Sequence, residues 1–226
     1  PYESFLSHQI GPCQVDGDFL YVAMGDGNQP PQSQQRDVLL GKVIRMTLDG
    51  EPDVQNPFYE DSDHSRGENF VYAFGLRNPF GMDVADGDVF VADNGTQDDR
   101  FIFLESGANY LWDGSNASSG ANASAVISPG KGVAQMERYP AGSSLFPGAF
   151  QDNFFLTVTG AGDRPVEFGV PAIWTIPFDI EGGRLTNAPE PFARYRGQTL
   201  QLVAALAWGP DAIYFAPMLP DQDGDT

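Results

Sequence analysis

Four short apolar segments recur along the 226-residue chain and constrain its fold more than any other feature. Each is a run of β-branched and aromatic residues that is typical of a buried strand. They begin at Phe19, Val89, Phe154 and Ile213, so that their starts lie 70, 65 and 59 residues apart. We therefore expect strands at 19–24, 89–93, 154–159 and 213–216 that occupy equivalent places in a repeated unit.

A second pattern supports the repeat. The segment 42–50 resembles 173–182, and each predicts an outer strand that ends in an Asp/Gly turn. About four short strands in each repeat of this length indicate the blades of an all-β propeller with long loops. A β-sandwich is the alternative, but its strands would follow one another at a steadier spacing of roughly 8–12 residues.

Composition argues against long helices and against several classes of partner. The chain has 26 Gly and 18 Pro, and no apolar run approaches the roughly 20 residues of a membrane span. With a net charge of −19, the chain would repel a phosphate backbone, so we expect no nucleic-acid partner. The single cysteine, Cys13, cannot form an internal disulfide.

Polar clusters stand next to the predicted strands, at 7–11, 77–78, 93–96 and 160–164. Loops at one face of a propeller surround a central pocket, so these clusters are predicted to meet. They offer an imidazole that can act as a base, guanidinium groups that bind carboxylates, and glycine-flanked carbonyls that suit calcium. The combination indicates a site for a polyanionic cofactor and a hard cation.

Several motifs occur in an order that extends over nearly the whole chain. They are HQxG at 8–11, GKVIR at 41–45, LDG at 48–50, NPF at 56–58, GLRNP at 75–79, GANYxW at 107–112 and LAWGPD at 206–211. In this series the chain resembles the soluble sugar dehydrogenases that depend on pyrroloquinoline quinone (PQQ), which include glucose, aldose sugar and sorbosone dehydrogenases. The resemblance implies a six-bladed propeller of periplasmic or extracellular type, of which this chain would cover about four blades.

The same resemblance implies roles for five residues. His8 would take the hydroxyl proton of a sugar while hydride passes to the quinone, and the electrons would leave to a separate acceptor. Arg77 and Asn78 would contact the quinone and carboxylate region of the cofactor, and Asn94 would lie beside it. Arg164 matches a late arginine that pairs with a cofactor carboxylate.

Calcium is implied at one place and suggested at another. The backbone carbonyls of Gly95 and Thr96 would hold a calcium ion against PQQ. Near the end of the sequence, Asp221, Asp223 and Asp225 form a D-x-D-G-D run that resembles the first part of a calcium loop, although a plain acidic linker is an equal alternative. We accordingly expect a partial propeller at 1–219 and a separate acidic segment at 220–226.

Three departures from the family pattern keep a second function open. Ser7 precedes the histidine where glucose dehydrogenases have an acid, and Pro147 stands nearest to the place of a cofactor-binding lysine. Residues 99–102 read Asp-Arg-Phe-Ile where the family has Asp-Glu-x-Asn. His8, Arg77 and Asn78 favour a PQQ- and calcium-dependent oxidoreductase acting on an aldose. The departures favour a non-catalytic propeller that binds a protein or glycan.

Overall fold

The protein is built from short β-strands. The structure is a computed structural model that describes residues 7–61, 63–159, 171–194 and 203–217. Within these ranges the chain forms sixteen β-strands, four short 3₁₀ helices and no α-helix. None of the helices in the described part of the chain has the length and apolar character that a membrane crossing needs. The expectation of an all-β chain without long helices is confirmed.

Most of the strands belong to three four-stranded antiparallel sheets. The first sheet contains β1 (Ile10–Asp16), β2 (Phe19–Met24), β3 (Lys42–Thr47) and β4 (Val71–Phe74) in that order. The second contains β5 (Pro79–Ala85), β6 (Asp88–Asp93), β7 (Asp99–Leu104) and β8 (Ala125–Ile127). The third contains β9 (Val133–Arg138), β10 (Phe154–Val158), β11 (Pro171–Ile176) and β14 (Glu190–Arg194).

The remaining elements are two hairpins and the 3₁₀ helices. One hairpin, β12 (Phe178–Asp179) with β13 (Arg184–Leu185), lies between β11 and β14 in the sequence, and the other pairs β15 (Val203–Trp208) with β16 (Ile213–Pro217). The 3₁₀ helices span Pro30–Gln34, Gly67–Phe70, Asn116–Ser118 and Gly148–Phe150. Each of these helices occurs in a connection between two strands of the same sheet.

The predicted repeat is confirmed in the strand order. The apolar segments at 19–24, 89–93 and 154–159 form β2, β6 and β10, each of which is the second strand of its sheet. The fourth segment forms β16, the second strand of the last hairpin. The segments at 42–50 and 173–182 are also equivalent, since β3 and β11 are both third strands.

The description of those third strands as outer strands was wrong. β3 pairs with β2 on one side and β4 on the other, and β11 pairs with both β10 and β14. The fourth strands carry a weaker apolar signal: β14 reads Glu-Pro-Phe-Ala-Arg and has no fully buried residue. A sequence pattern that relies on apolar runs therefore does not find them.

The chain divides into two compact units, one of residues 1–96 and 100–126 and the other of 97–99 and 127–226. In the first unit, side chains from both of its sheets form one core, which includes Tyr21, Val43, Met82, Val91 and Ile102. In the second unit a cluster of Tyr139, Phe155, Ile173 and Leu206 is surrounded by further aromatic rings. The inner strands β6 and β10 bury successive residues and hence both of their faces, whereas the edge strand β14 has no fully buried residue.

A buried lysine fastens the loop between β2 and β3 to the first sheet. Lys42 is fully buried at the start of β3, and its Nζ donates hydrogen bonds to the carbonyls of Gln32 (3.2 Å), Ser33 (2.8 Å) and Leu40 (2.7 Å). Burial lowers the pKa of Lys42 to about 7, while the charge of Asp37 acts in the opposite direction. The carbonyls replace the water that the ammonium group loses, so the loop is held in one position.

Candidate functional site

The first predicted site residue, His8, is held by a carboxylate from another loop. Its Nδ1 lies 2.6 Å from Oδ1 of Asp26, with the histidine side chain 12% exposed and the aspartate 1% exposed. Asp26 follows the end of β2, 18 positions after the histidine. Since a carboxylate accepts, Nδ1 is the donor, and proton exchange with a ligand falls to Nε2. The acid that Ser7 does not provide is therefore supplied by Asp26.

Asp26 also connects this histidine to the rest of the site. Its Oδ2 accepts a hydrogen bond from the indole Nε1 of Trp112 (2.7 Å), and its Oδ1 accepts one from the backbone N–H of Asn28 (2.9 Å). The backbone N–H of Asp26 donates to the carbonyl of Arg77 (2.7 Å). A buried carboxylate requires such donors, and here His8, Asn28 and Trp112 supply them.

The backbone that carries His8 lies directly on Gly25. Hydrogen bonds join Gly25 N–H to the carbonyl of Gln9 (2.8 Å) and Gly27 N–H to the carbonyl of His8 (2.9 Å). A Cβ on residue 25 would lie 2.5 Å from the carbonyl oxygen of His8, closer than a packed structure allows. Glycine at position 25 therefore permits the close approach that brings the histidine to Asp26.

We expect Gly25→Ala to displace the histidine loop and to lower the free energy of unfolding by about 1–3 kcal/mol, because the contact is with rigid backbone. Denaturant unfolding measures the loss. Gly148→Ala is the matched control, since no atom lies within 4 Å of its added Cβ and its φ is not positive. Equal stability of the two variants would contradict the close-approach argument.

Arg77, Asn78 and Asn94 lie together. Arg77 is half-buried just after β4; its Nη1 donates to the carbonyl of Asn94 (2.7 Å), and its guanidinium carbon lies 5.6 Å from the centre of the Trp112 ring. The backbone N–H of Asn94 donates to the carbonyl of Asn78 (3.1 Å). His8 and Arg77 are thus joined through Asp26 and Trp112, although 69 positions separate them in the sequence.

A second buried carboxylate, Asp93, supports the loop that carries Arg77. Its Oδ1 accepts the backbone N–H of Asn78 (2.6 Å) and that of Arg77 (3.2 Å), and its Oδ2 accepts from Nη2 of Arg100 (2.5 Å). Asp93 and Arg100 are each 1% exposed. Asp26 and Asp93 therefore direct their charges at internal donors, while Arg77 beside them is only half-buried.

The two residues predicted to supply calcium ligands follow β6. Thr96 is exposed, and its Oγ1 makes hydrogen bonds with Asn116 Oδ1 (2.7 Å) and Ser119 Oγ (3.0 Å), which tie this loop to the Asn116–Ser118 helix. The described residues contain no group of three or more His, Cys, Asp or Glu side chains that could hold a metal. A calcium ion at Gly95 and Thr96 would accordingly depend on backbone carbonyls and on oxygens of a ligand.

The other predicted site residues lie outside the described residues. These are Arg164, which was assigned to a cofactor carboxylate, and the three carboxylates of Asp221, Asp223 and Asp225. The boundary between 219 and 220 also lies outside them, so the acidic segment stays a prediction.

Comparison with known proteins identifies the family of this chain. The sequence model described as Glucose / Sorbosone dehydrogenase matches residues 8–140, a range that includes His8, Asp26, Arg77 and Trp112. The chain belongs to the glucose/sorbosone dehydrogenase family. Within that family it is 34% identical over 116 residues to aldose sugar dehydrogenase YliI of Escherichia coli K12; the match covers 50% of this chain and 30% of that protein.

Solved structures with the glucose/sorbosone dehydrogenase fold are also similar. The apo form of the soluble aldose sugar dehydrogenase from E. coli matches with a TM-score of 0.73 and 21% identity, covering 96% of this chain and 63% of that one. The PQQ-bound aldose sugar dehydrogenase from Streptomyces coelicolor matches with a TM-score of 0.69 and 23% identity, covering 94% and 56%. The chain thus spans less than two thirds of these relatives.

These likenesses, together with the repeated four-stranded antiparallel sheets, confirm the predicted all-β propeller fold. The sheet formed by β1–β4, the sheet formed by β5–β8 and the sheet formed by β9–β11 with β14 are its blades, and β15 and β16 form a further antiparallel pair. The sandwich alternative is excluded by the same match.

The sequence predictions did not single out two residues of the candidate site, Asp26 and Trp112. A signal existed for the first, because the Gly-Asp-Gly triplet at 25–27 directly follows a predicted strand, the place where loop residues of a propeller face one another. For the second, the GANYxW motif marked a family feature but gave no indication that the indole N–H would reach a carboxylate 86 positions away.

Proposed function

We propose that the complete protein is a PQQ- and calcium-dependent oxidoreductase that oxidises an aldose or a related sugar and passes the electrons to a separate acceptor. The observation that carries this proposal is the electrostatic arrangement of the site. In a chain of net charge −19, Asp26 and Asp93 are saturated by internal donors, and Arg77 is left half-exposed. Such a site attracts an anionic ligand despite the charge of the whole chain.

The side chains present fit PQQ, a planar quinone with three carboxylates. Arg77, stacked on Trp112, offers donors for a carboxylate or quinone oxygen, and Asn78 and Asn94, whose backbone groups lie next to it, would add side-chain amides. The carbonyls of Gly95 and Thr96 would hold calcium at the same loop. When bound, PQQ supplies a two-electron acceptor for hydride, and calcium polarises it as a Lewis acid.

His8 is the group that would remove the hydroxyl proton of the sugar. Asp26 holds Nδ1, so the imidazole presents Nε2 to the substrate, and the carboxylate stabilises the imidazolium that forms when the proton arrives. The buried indole of Trp112 and the N–H of Asn28 keep the carboxylate itself in place. The imidazole is thus oriented for proton transfer without an acid at position 7.

We expect Asp26→Asn to lower the turnover number of the reconstituted protein about 10²-fold, because an amide cannot stabilise an imidazolium as a carboxylate does. The affinity for PQQ should change little, since the oxygen of the introduced amide can still accept from the indole. Steady-state kinetics and calorimetry separate the two effects. Asp49→Asn, in the exposed turn after β3, is the control for loss of one negative charge. Unchanged turnover in the Asp26 variant would contradict this role.

The proposal is tested by calorimetry of the full-length protein with PQQ, in the presence of calcium and after chelation. We expect binding only with calcium, followed by reduction of an artificial electron acceptor when an aldose is added. Binding without oxidation of any sugar would overturn the catalytic half. Absence of PQQ binding would favour a non-catalytic propeller that binds a protein or glycan, the function that Pro147 favours.

The place of action follows from the same proposal. We infer that the protein acts in the periplasm or outside the cell, as the family resemblance implies, and its excess of 31 Asp and Glu over 12 Lys and Arg keeps such a protein hydrated. Fractionation of cells that express the full-length gene would test the assignment, and recovery of the protein in the cytoplasmic fraction would contradict it.

A further inference from the structure

Arg100 is a buried cation for which the proposed chemistry has no direct use. It lies in β7 with 1% of its side chain exposed, at one of the positions where the sequence departs from the family pattern. A guanidinium group in a protein interior keeps its charge, so burial requires partners for all of its donors. The positions of those partners indicate what the residue does.

One guanidinium joins four acceptors from different parts of the chain. Nη1 donates to the carbonyls of Tyr110 (2.5 Å) and Ala121 (2.8 Å), and Nη2 donates to the carbonyl of Gly75 (3.3 Å) and to Oδ2 of Asp93 (2.5 Å). Arg100 therefore connects the loop after β4, the end of β6 and the connection between β7 and β8. Only the forked geometry of arginine can reach all four at once.

Two of those segments carry residues of the candidate site, because Arg77 and Asn78 lie in the loop after β4 and Trp112 lies in the connection between β7 and β8. Asp93 accepts the backbone N–H groups of Arg77 and Asn78, so its position fixes the start of their loop. Trp112 donates its backbone N–H to the carbonyl of Gly75 (3.0 Å), which brings the indole to the same loop. Arg100 thus supports the stack of Arg77 on Trp112 on two sides. It contacts Asp93, which holds the Arg77 loop, and the Gly75 carbonyl, which accepts from the backbone of Trp112.

We propose that Arg100, acting through Asp93, is a positioning residue that sets Arg77 and Asn78 in the geometry required by an anionic cofactor. This inference rests on the function proposed above. A cofactor binds more tightly when Arg77 and Asn78 are already held in place, because less conformational entropy is lost on binding. Arg100 itself touches no ligand, and its influence passes through one carboxylate and two loops.

The decisive variant is Arg100→Lys, which keeps the charge but cannot reach four acceptors. Asp93→Asn is a second variant that keeps the side-chain shape and removes the charge. Arg45→Lys is the matched control, because Arg45 in β3 of the same unit also pairs with a buried aspartate, Asp53 (2.7 Å), and its hydrogen-bond partner Asn56 is not a residue of the candidate site. Each full-length variant is assayed for thermal midpoint, for PQQ affinity with calcium by calorimetry, and for amide hydrogen exchange without PQQ.

We expect Arg100→Lys and Asp93→Asn to raise the Kd for PQQ roughly ten- to hundredfold and to accelerate amide exchange at 75–80 by about the same factor. Arg45→Lys should lower the thermal midpoint without changing the Kd or that exchange. If the Arg100 and Arg45 variants lose stability alike while PQQ affinity stays at the wild-type value, Arg100 is a structural residue only and the inference is overturned.

The exchange measurement separates this inference from the proposed function. Should the wild-type protein not bind PQQ, the proposed function fails, but the exchange at 75–80 still reports whether Arg100 orders the loop. Unchanged exchange in both the Arg100 and Asp93 variants would overturn the positioning role irrespective of any ligand, and faster exchange would support it.

Discussion

Replacing His8 with alanine should lower the turnover of the reconstituted full-length protein by roughly 10²–10⁴-fold, the range for loss of a positioned base. PQQ affinity should remain close to the wild-type value, because the proposed site holds the anion through Arg77 and its neighbours rather than through the imidazole. Asp26 stays paired in the variant through Trp112 and Asn28, so the fold should persist. Stopped-flow reduction of the bound cofactor by an aldose measures the loss directly.

His8→Asn is the control that distinguishes proton transfer from structure. Asparagine tolerates the left-handed φ of 56° found at this position, and its side-chain amide can donate to Asp26 as the imidazole does. It has no group that accepts a proton near neutral pH. We therefore expect the asparagine variant to be as stable as the wild type and as slow as the alanine variant. Wild-type turnover in either variant would show that His8 is not the base.

Arg77→Ala should raise the Kd for PQQ about 30- to 1,000-fold, corresponding to about 2–4 kcal/mol for a carboxylate that loses its charged partner. The variant removes the half-exposed cation and exposes the Trp112 ring, but it leaves the buried carboxylates and their donors unchanged. Calorimetric titration with PQQ at constant calcium measures the affinity. Turnover at saturating PQQ should fall less than in the His8 variants.

The matched control for this change is Arg36→Ala. Arg36 is exposed, belongs to the same unit and also stacks on an aromatic ring, with its guanidinium carbon 4.8 Å from the centre of Phe58. The Arg36→Ala substitution changes the net charge by the same amount as Arg77→Ala, at a place where no ligand is predicted. Equal loss of affinity in the two variants would mean that the overall charge of the chain, rather than the local geometry at Arg77, governs binding.

Much of the fold could be predicted because its repeat is local. A run such as 89–93 buries side chains on both faces of a sheet, and that requirement leaves an apolar signal in the sequence that needs no knowledge of neighbours. The loop motifs could also be predicted from local sequence, since Arg77 and Asn78 follow a strand and precede a Pro residue that ends the turn. The edge strand β14 escaped prediction because an exposed strand carries no such signal.

The amino-acid sequence by itself determined the strand repeat, the polar loops beside it and the family resemblance, since each depends on residues that are close together in the chain. The tertiary structure decided which charges meet. Asp26 became the partner of His8 across 18 positions and of Trp112 across 86, and Asp93 was neutralised by Arg100 inside the core. Such pairs form because a buried charge must find a partner wherever the fold brings one, and no sequence spacing encodes that requirement.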